Sequence, residues 1–130
     1  MENPKNLKYT KTEEWILVED NIATIGITHY AQDQLSDIVY IEYLLEEGDD
    51  VDADEAFATL ESVKAASDVL TAVAGTIVEI NEDLADTPEE INQNPYGAWM
   101  AKIEISDPAP LDDQMDIETY EKYAAEERDN

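Results

Sequence analysis

The chain has 130 residues, with 33 acidic against 7 basic side chains and a formal net charge of −26. Such a field repels nucleic acid and anionic membranes, because no basic patch is available to neutralise phosphates. There is no cysteine, which excludes a disulfide framework, a thiolate nucleophile and a cysteine-based metal site.

The length points to one domain over 1–130, large enough to bury roughly two-thirds of its unfolded surface. Carboxylates are spread over every loop rather than gathered in one block. This favours adaptation to a salt-rich cytoplasm, where screening weakens self-repulsion, over an acidic face built for one basic partner. The N-terminal stretch "MENPKNLKYT" lacks an apolar core, and no apolar run approaches membrane-spanning length. A soluble, cytoplasmic protein is expected.

In chain order, "WILVEDNIATIGIT" predicts a hairpin: Trp15 to Val18, a turn at Asp20-Asn21, then Ile22 to Ile27. "HYAQDQL" spaces Tyr30, Ala31 and Leu35 for one or two helical turns. "DIVYIEYL" returns to strand, rich in β-branched and aromatic residues. "EEGDDVDADE" is a polar turn leading into "AFATLES". That segment, "VKAAS" and "DVLTAVAGTIVEI" predict a strand, a tight turn and a strand running on beyond Gly75. "NEDLADTPEEINQNPYGAW" reads as a long polar loop holding a helical turn, and "WMAKIEI" as the last strand. "PLDDQMDIETYEKYAAEE" closes the chain as a helix with Ile117, Tyr120 and Ala124 on one face. Many short strands separated by turn signals predict a mainly β sandwich or barrel with small helices at its ends.

Lys64 stands apart. Between Lys11 and Lys102 it is the only lysine, with no arginine, in a stretch that places acids at nearly every solvated position. A generic surface role would have been filled by Glu or Asp, and the neighbours Ser62, Val63, Ala65 and Ala66 leave the amine open. Glu61 and Asp68 nearby favour its charged form, which suits an acylation target better than a Schiff-base nucleophile. His29, the lone histidine, reads as a helix-start or surface residue. The acids of "DDVDADE" lack calcium-loop spacing, and no P-loop, dinucleotide, zinc-protease or nucleophile-elbow motif occurs. No metal site and no catalytic residues are expected, so the chain reads as a non-enzyme.

"ESVKAASD" closely resembles the lipoyl-attachment hairpin of the glycine cleavage system H-protein family. The likeness spans roughly residues 7 to 127, through "KYTKTEEWILVEDNIATIGITHYAQDQLSDIVYIE", "VAGTIVEIN" and "INQNPYGAWMAKI". Val63 and Ala65 flank the lysine, where biotinyl domains carry methionines and acyltransferase lipoyl domains commonly place an Asp before it. The resemblance implies a barrel-sandwich hybrid fold with a C-terminal helix and lipoate joined by an amide to Lys64. It implies a shuttle for the aminomethyl group of glycine rather than a catalyst. Its partners would be a glycine decarboxylase (P protein), an aminomethyltransferase (T protein), a dihydrolipoyl dehydrogenase (L protein) and a lipoylating enzyme. Glu61, Ser62, Val63, Ala65 and Ser67 would serve recognition by that last enzyme, and Thr12, Glu14 and Asp68 match positions lining the cleft that shelters the loaded arm. Two other readings remain open: a carrier for a different lipoate relay, and an unmodified acidic interaction module.

The chain departs from the family pattern in several places. Ser36 stands where glycine is usual, and "YLLEEG" around Leu44 replaces a shorter Leu-Pro turn. Leu70 and Ala72 replace an aromatic or polar residue and a proline. "PYGAW" at Ala98 is one residue short. These changes bear on partner docking and leave the lysine motif intact.

Overall fold

A computed structural model describes residues 3–128. Nine strands form two antiparallel sheets, with short helices between them and a longer helix at the C-terminal end. The strands are β1 (Lys8–Tyr9), β2 (Glu14–Glu19), β3 (Ile22–Ile27), β4 (Ile38–Tyr43), β5 (Asp50–Val51), β6 (Ala56–Ser62), β7 (Ala66–Leu70), β8 (Ala74–Ile80) and β9 (Ala101–Asp107). The larger sheet runs β1-β2-β3-β9-β8-β5 and the smaller β4-β6-β7. Among the described residues the sheets do not close into a barrel, so the fold is mainly β in two layers.

The β2–β3 hairpin forms where its sequence demands it. Asp20 and Asn21 both take positive φ, 50° and 67°, the left-handed pair that a two-residue hairpin turn requires and that Asp and Asn tolerate. At Gly26, opposite Trp15, an added Cβ would lie 2.6 Å from the indole, so the ring can lie across the strand only because no side chain is there. Its Nε1 donates to the Pro95 carbonyl at 3.0 Å, tying β2 to the loop before β9.

Alternation along the strands supplies the core between the sheets: Ile16, Ala23, Ile25 and Ile103 from the large sheet meet Ile41, Phe57, Leu60 and Val69 from the small one. A second cluster gathers Leu7, Tyr9, Trp15, Met115, Tyr120 and Ala124. There Tyr9 and Tyr120 stack with centroids 4.5 Å apart, fastening the C-terminal helix α4 (Ile117–Arg128) to the N-terminal strands. Tyr120 and Ala124 are buried as their spacing predicts. Asp116 starts this helix by accepting the Thr119 amide at 2.8 Å, a side-chain N-cap.

Three expectations need correction. The strand leaving the Lys64 turn does not continue beyond Gly75 in one piece: β7 ends at Leu70 and β8 belongs to the other sheet. The break lies at Thr71, whose hydroxyl accepts from the Val73 amide at 3.2 Å and donates to the Val73 carbonyl at 2.8 Å. A side chain that bonds its own backbone two residues on replaces the ladder locally, and the chain crosses between layers there. The helix predicted from Pro110 begins only at Ile117. Residues 109–113 instead form a 3₁₀ turn, in keeping with the prolines at 108 and 110. The long polar loop holds two short helices, α2 (Glu82–Asp86) and α3 (Glu90–Gln93), rather than one turn. "HYAQDQL" does form α1 (His29–Leu35), capped by the Thr28 hydroxyl, which accepts from the Ala31 amide.

Candidate functional site

Lys64 sits at the tip of the β6–β7 hairpin. Ser62 and Ala65 close a two-residue loop, the Ser62 amide donating to the Ala65 carbonyl at 2.8 Å. Neither Val63 nor Lys64 takes positive φ, in keeping with a β-branched residue at the first position. The Ser62 hydroxyl stabilises this turn by accepting from the amides of Lys64 at 3.2 Å and Ala65 at 3.1 Å. The Val63 amide donates to the Asp37 carbonyl at 3.1 Å, which anchors the tip to the segment preceding β4. The backbone under the lysine is thus fixed, while its ammonium makes no ion pair or hydrogen bond with the described residues. Glu61, Val63, Ala65 and Ser67 are exposed around it, and Ser62 is half-buried.

Glu14 is the opposite case. Only 2% of it is exposed. Its Oε1 accepts from the Thr10 hydroxyl at 2.7 Å and from the Thr12 hydroxyl. Oε2 accepts from the Leu70 amide at 3.4 Å. These three partners are neutral, and burial pushes its pKa from 4.5 up to about 7 although these donors pull it down. Beside it lies a cavity of about 270 Å³. Its walls come from the turn Thr10–Thr12, the crossover Leu70–Ala72, and Asp113 to Met115 after the 3₁₀ turn, with Asp54 opposite.

The structure therefore brings Thr12 and Glu14 together and sets Asp68 elsewhere. Asp68 is exposed on β7, accepts from the Thr59 hydroxyl at 3.0 Å and does not line the cavity. Asp68 stands opposite Thr59 in the β6–β7 ladder, one strand repeat nearer the lysine turn than Leu70; Leu70, at the end of β7, lines the cavity, and its amide rather than a carboxylate reaches Glu14. Sequence reasoning missed Thr10, Thr71 and the C-terminal wall. The Thr10-Thr12-Glu14 spacing was the available signal. The turn that closes on the left-handed Glu13, φ 70°, rather than simple alternation, makes it converge.

The other singled-out residues are structural. His29 opens α1, its Nδ1 2.9 Å from Gln32 Nε2. Among the described residues no group of three or more His, Asp or Glu is arranged to hold a metal. No helix there is long and apolar enough to cross a membrane.

The family model described as "Glycine cleavage H-protein" matches residues 7–127. The chain belongs to the glycine cleavage H-protein family. It is 54% identical over 121 residues to a glycine cleavage system H protein of Clostridium botulinum, covering 93% of this chain and 92% of that one. With the H protein of Carboxydothermus hydrogenoformans it shares 50% over 125 residues, 95% of each chain. A crystal structure of a glycine cleavage system H protein from Mycobacterium marinum superposes with a TM-score of 0.83 at 30% identity, over 96% of this chain and 98% of that one.

Set against the family pattern, Ser36 acquires a physical meaning. It adopts φ 64° and ψ −150°, a region that glycine occupies easily and other residues occupy at a cost. The Asn92 amide holds its carbonyl at 2.7 Å, and Asn92 Oδ1 accepts the Ile38 amide at 2.9 Å. Ala72 is 5% exposed, packs in the core at the crossover and lines the cavity.

Proposed function

We propose that the chain is a single non-catalytic domain, the lipoyl carrier of a glycine cleavage system, with lipoate attached by an amide to Lys64. The observation that carries this reading is an unpaired, exposed amine on a turn whose backbone is held from three sides. An acylating enzyme needs a nucleophile it can reach and a peptide geometry it can recognise, and the hairpin supplies both. Lipoate would supply a strained disulfide, whose electrophilic sulfur accepts a one-carbon fragment. The chain itself contributes no competing thiol, since it has no cysteine.

The cavity fits the other half of the task. An aminomethyl group ends in a basic amine that water would strip away. Glu14, held by two hydroxyls and an amide, offers it a carboxylate in a water-poor setting, where a charge-assisted hydrogen bond is strong. Thr12 orients that carboxylate. Glycine decarboxylase, aminomethyltransferase and dihydrolipoyl dehydrogenase would load, unload and reoxidise the arm in turn, in the cytoplasm.

The test is intact mass with peptide mapping after incubation with lipoate, ATP and a lipoate ligase active on other members of the family. One lipoyl increment on Lys64, absent in Lys64→Arg, is expected; an unmodified wild-type chain overturns the reading. Glycine-dependent loading by a glycine decarboxylase then separates this relay from a different one. The acidity is read as salt adaptation in a prokaryote: circular dichroism should show loss of folded signal as salt is withdrawn, and full stability in dilute buffer would count against it.

A further inference from the structure

Period-two alternation would place only one of two adjacent strand residues outside. In β4 both Val39 and Tyr40 face solvent, 55% and 50% exposed, between Ile38 and Ile41 at 2% and 4%. The cause is a register shift between Ile38 and Tyr40 against β6: Ile38 faces Ser62 and Tyr40 faces Glu61. A bulge of this kind re-aims side chains and occurs beside functional sites. It lies directly behind the lysine turn, joined to it by the Val63 amide on the Asp37 carbonyl. Val63 is itself 66% exposed. Half of the large apolar side chains exposed among the described residues, three of six, thus stand at this one end of the small sheet. Beside Val39 lies a groove of about 520 Å³, floored by Ile38 and Pro88 and edged by Asp37 and Glu89.

Single exposed apolar residues mean little, but a contiguous apolar strip rimmed by charge marks an interaction surface. Which partner uses it follows from where the chemistry happens. Enzymes that act on the distal sulfurs of a lipoyl-lysine can work an arm's length from the hairpin. The enzyme that makes the amide must bring its acyl donor to Nζ itself, and so must pack against the turn. We propose that Val39, Tyr40 and Val63, rimmed by Asp37, Glu61 and Glu89, form the docking surface for the enzyme that acylates Lys64. That enzyme meets it with an apolar patch edged by basic side chains. The inference rests on the carrier reading above and adds a second strand to the recognition element, beyond the residues flanking the lysine.

The experiment follows lipoyl incorporation by intact mass for the full chain, with lipoate, ATP and the same ligase, across carrier concentrations. The double variant Val39→Asp, Tyr40→Asp should raise KM at least tenfold and leave kcat within twofold. Val39→Ile with Tyr40→Phe should restore the wild-type value. Val78→Asp, equally an exposed apolar site (42%) but on β8, should change nothing. Circular dichroism confirms that each variant is folded. Asp37→Asn with Glu89→Gln should flatten the rise of KM with salt. A modified wild type with an equally fast double variant overturns the docking surface and leaves the carrier reading standing. An unmodified wild type overturns the carrier reading and with it this inference. Slowed reoxidation of a fully lipoylated double variant by dihydrolipoyl dehydrogenase, with attachment intact, assigns the strip to a relay enzyme and equally overturns the proposal.

Discussion

Around Lys64 the protein offers small or apolar exposed side chains and a bare amine. Around Glu14 it offers two hydroxyls, one amide and almost no exposed surface. The first region fixes backbone and leaves the functional group free; the second fixes the functional group at the wall of a cavity. The difference teaches what each place can do. Under the carrier reading proposed above, the amine that another protein must find is left open, and the carboxylate that would shelter a labile cargo is shut in and chemically responsive.

The sharpest way to break this contrast is through ionisation. Glu14 has a raised folded-state pKa, about 7 against 4.5, so between those values the folded chain keeps a proton that the unfolded chain has released. The contribution of Glu14 to stability is therefore fully present below pH 4.5 and is lost as pH rises through 7, by on the order of 3 kcal/mol in total. Other carboxylates titrate too, so the quantity to measure is a difference: urea midpoints of wild type and Glu14→Gln from pH 5 to 8. The glutamine variant should gain on the wild type across that range, while losing a loaded aminomethyl group faster with lipoylation unchanged. A flat difference curve would mean the carboxylate is better solvated than its burial indicates.

Two smaller effects belong to the hairpin side. Ser36→Gly should stabilise the chain by about 1 kcal/mol, the relief of a strained backbone less the entropy glycine costs. A matching shift in urea midpoint checks it, and a destabilised variant would show that Asn92 already meets the strain. Ser62→Ala removes the acceptor of the Lys64 and Ala65 amides on an exposed turn, worth about 0.5 kcal/mol. Faster hydrogen exchange at those two amides, with the cavity residues unaffected, is the expected signature.

Much of this was legible in the sequence. Asp20-Asn21 marked its hairpin because few residue pairs tolerate that turn, and the isolation of Lys64 in an acidic chain marked the tip. The buried face of α4 followed from the spacing of Tyr120 and Ala124. What escaped reading were events set by tertiary contact. The two-residue strands β1 and β5 have no period to detect. The crossover at Thr71 depends on a side chain bonding its own backbone, and the "DIVYIEYL" pattern does not show which residue will bulge. Asp68 is acidic and near the lysine, but its place opposite Thr59 and two residues short of the cavity wall at Leu70 is set by the strand register, which the sequence does not display.

The bond from the Leu70 amide to Glu14 carries one more consequence. β7 begins at the lysine turn and ends on that carboxylate, so the base of the hairpin has a reporter wired to the cavity. The amide proton of Leu70 should move when Glu14 changes charge, whether through pH or through an arriving amine. A single backbone resonance would then read the loading state of the carrier without any label on the arm.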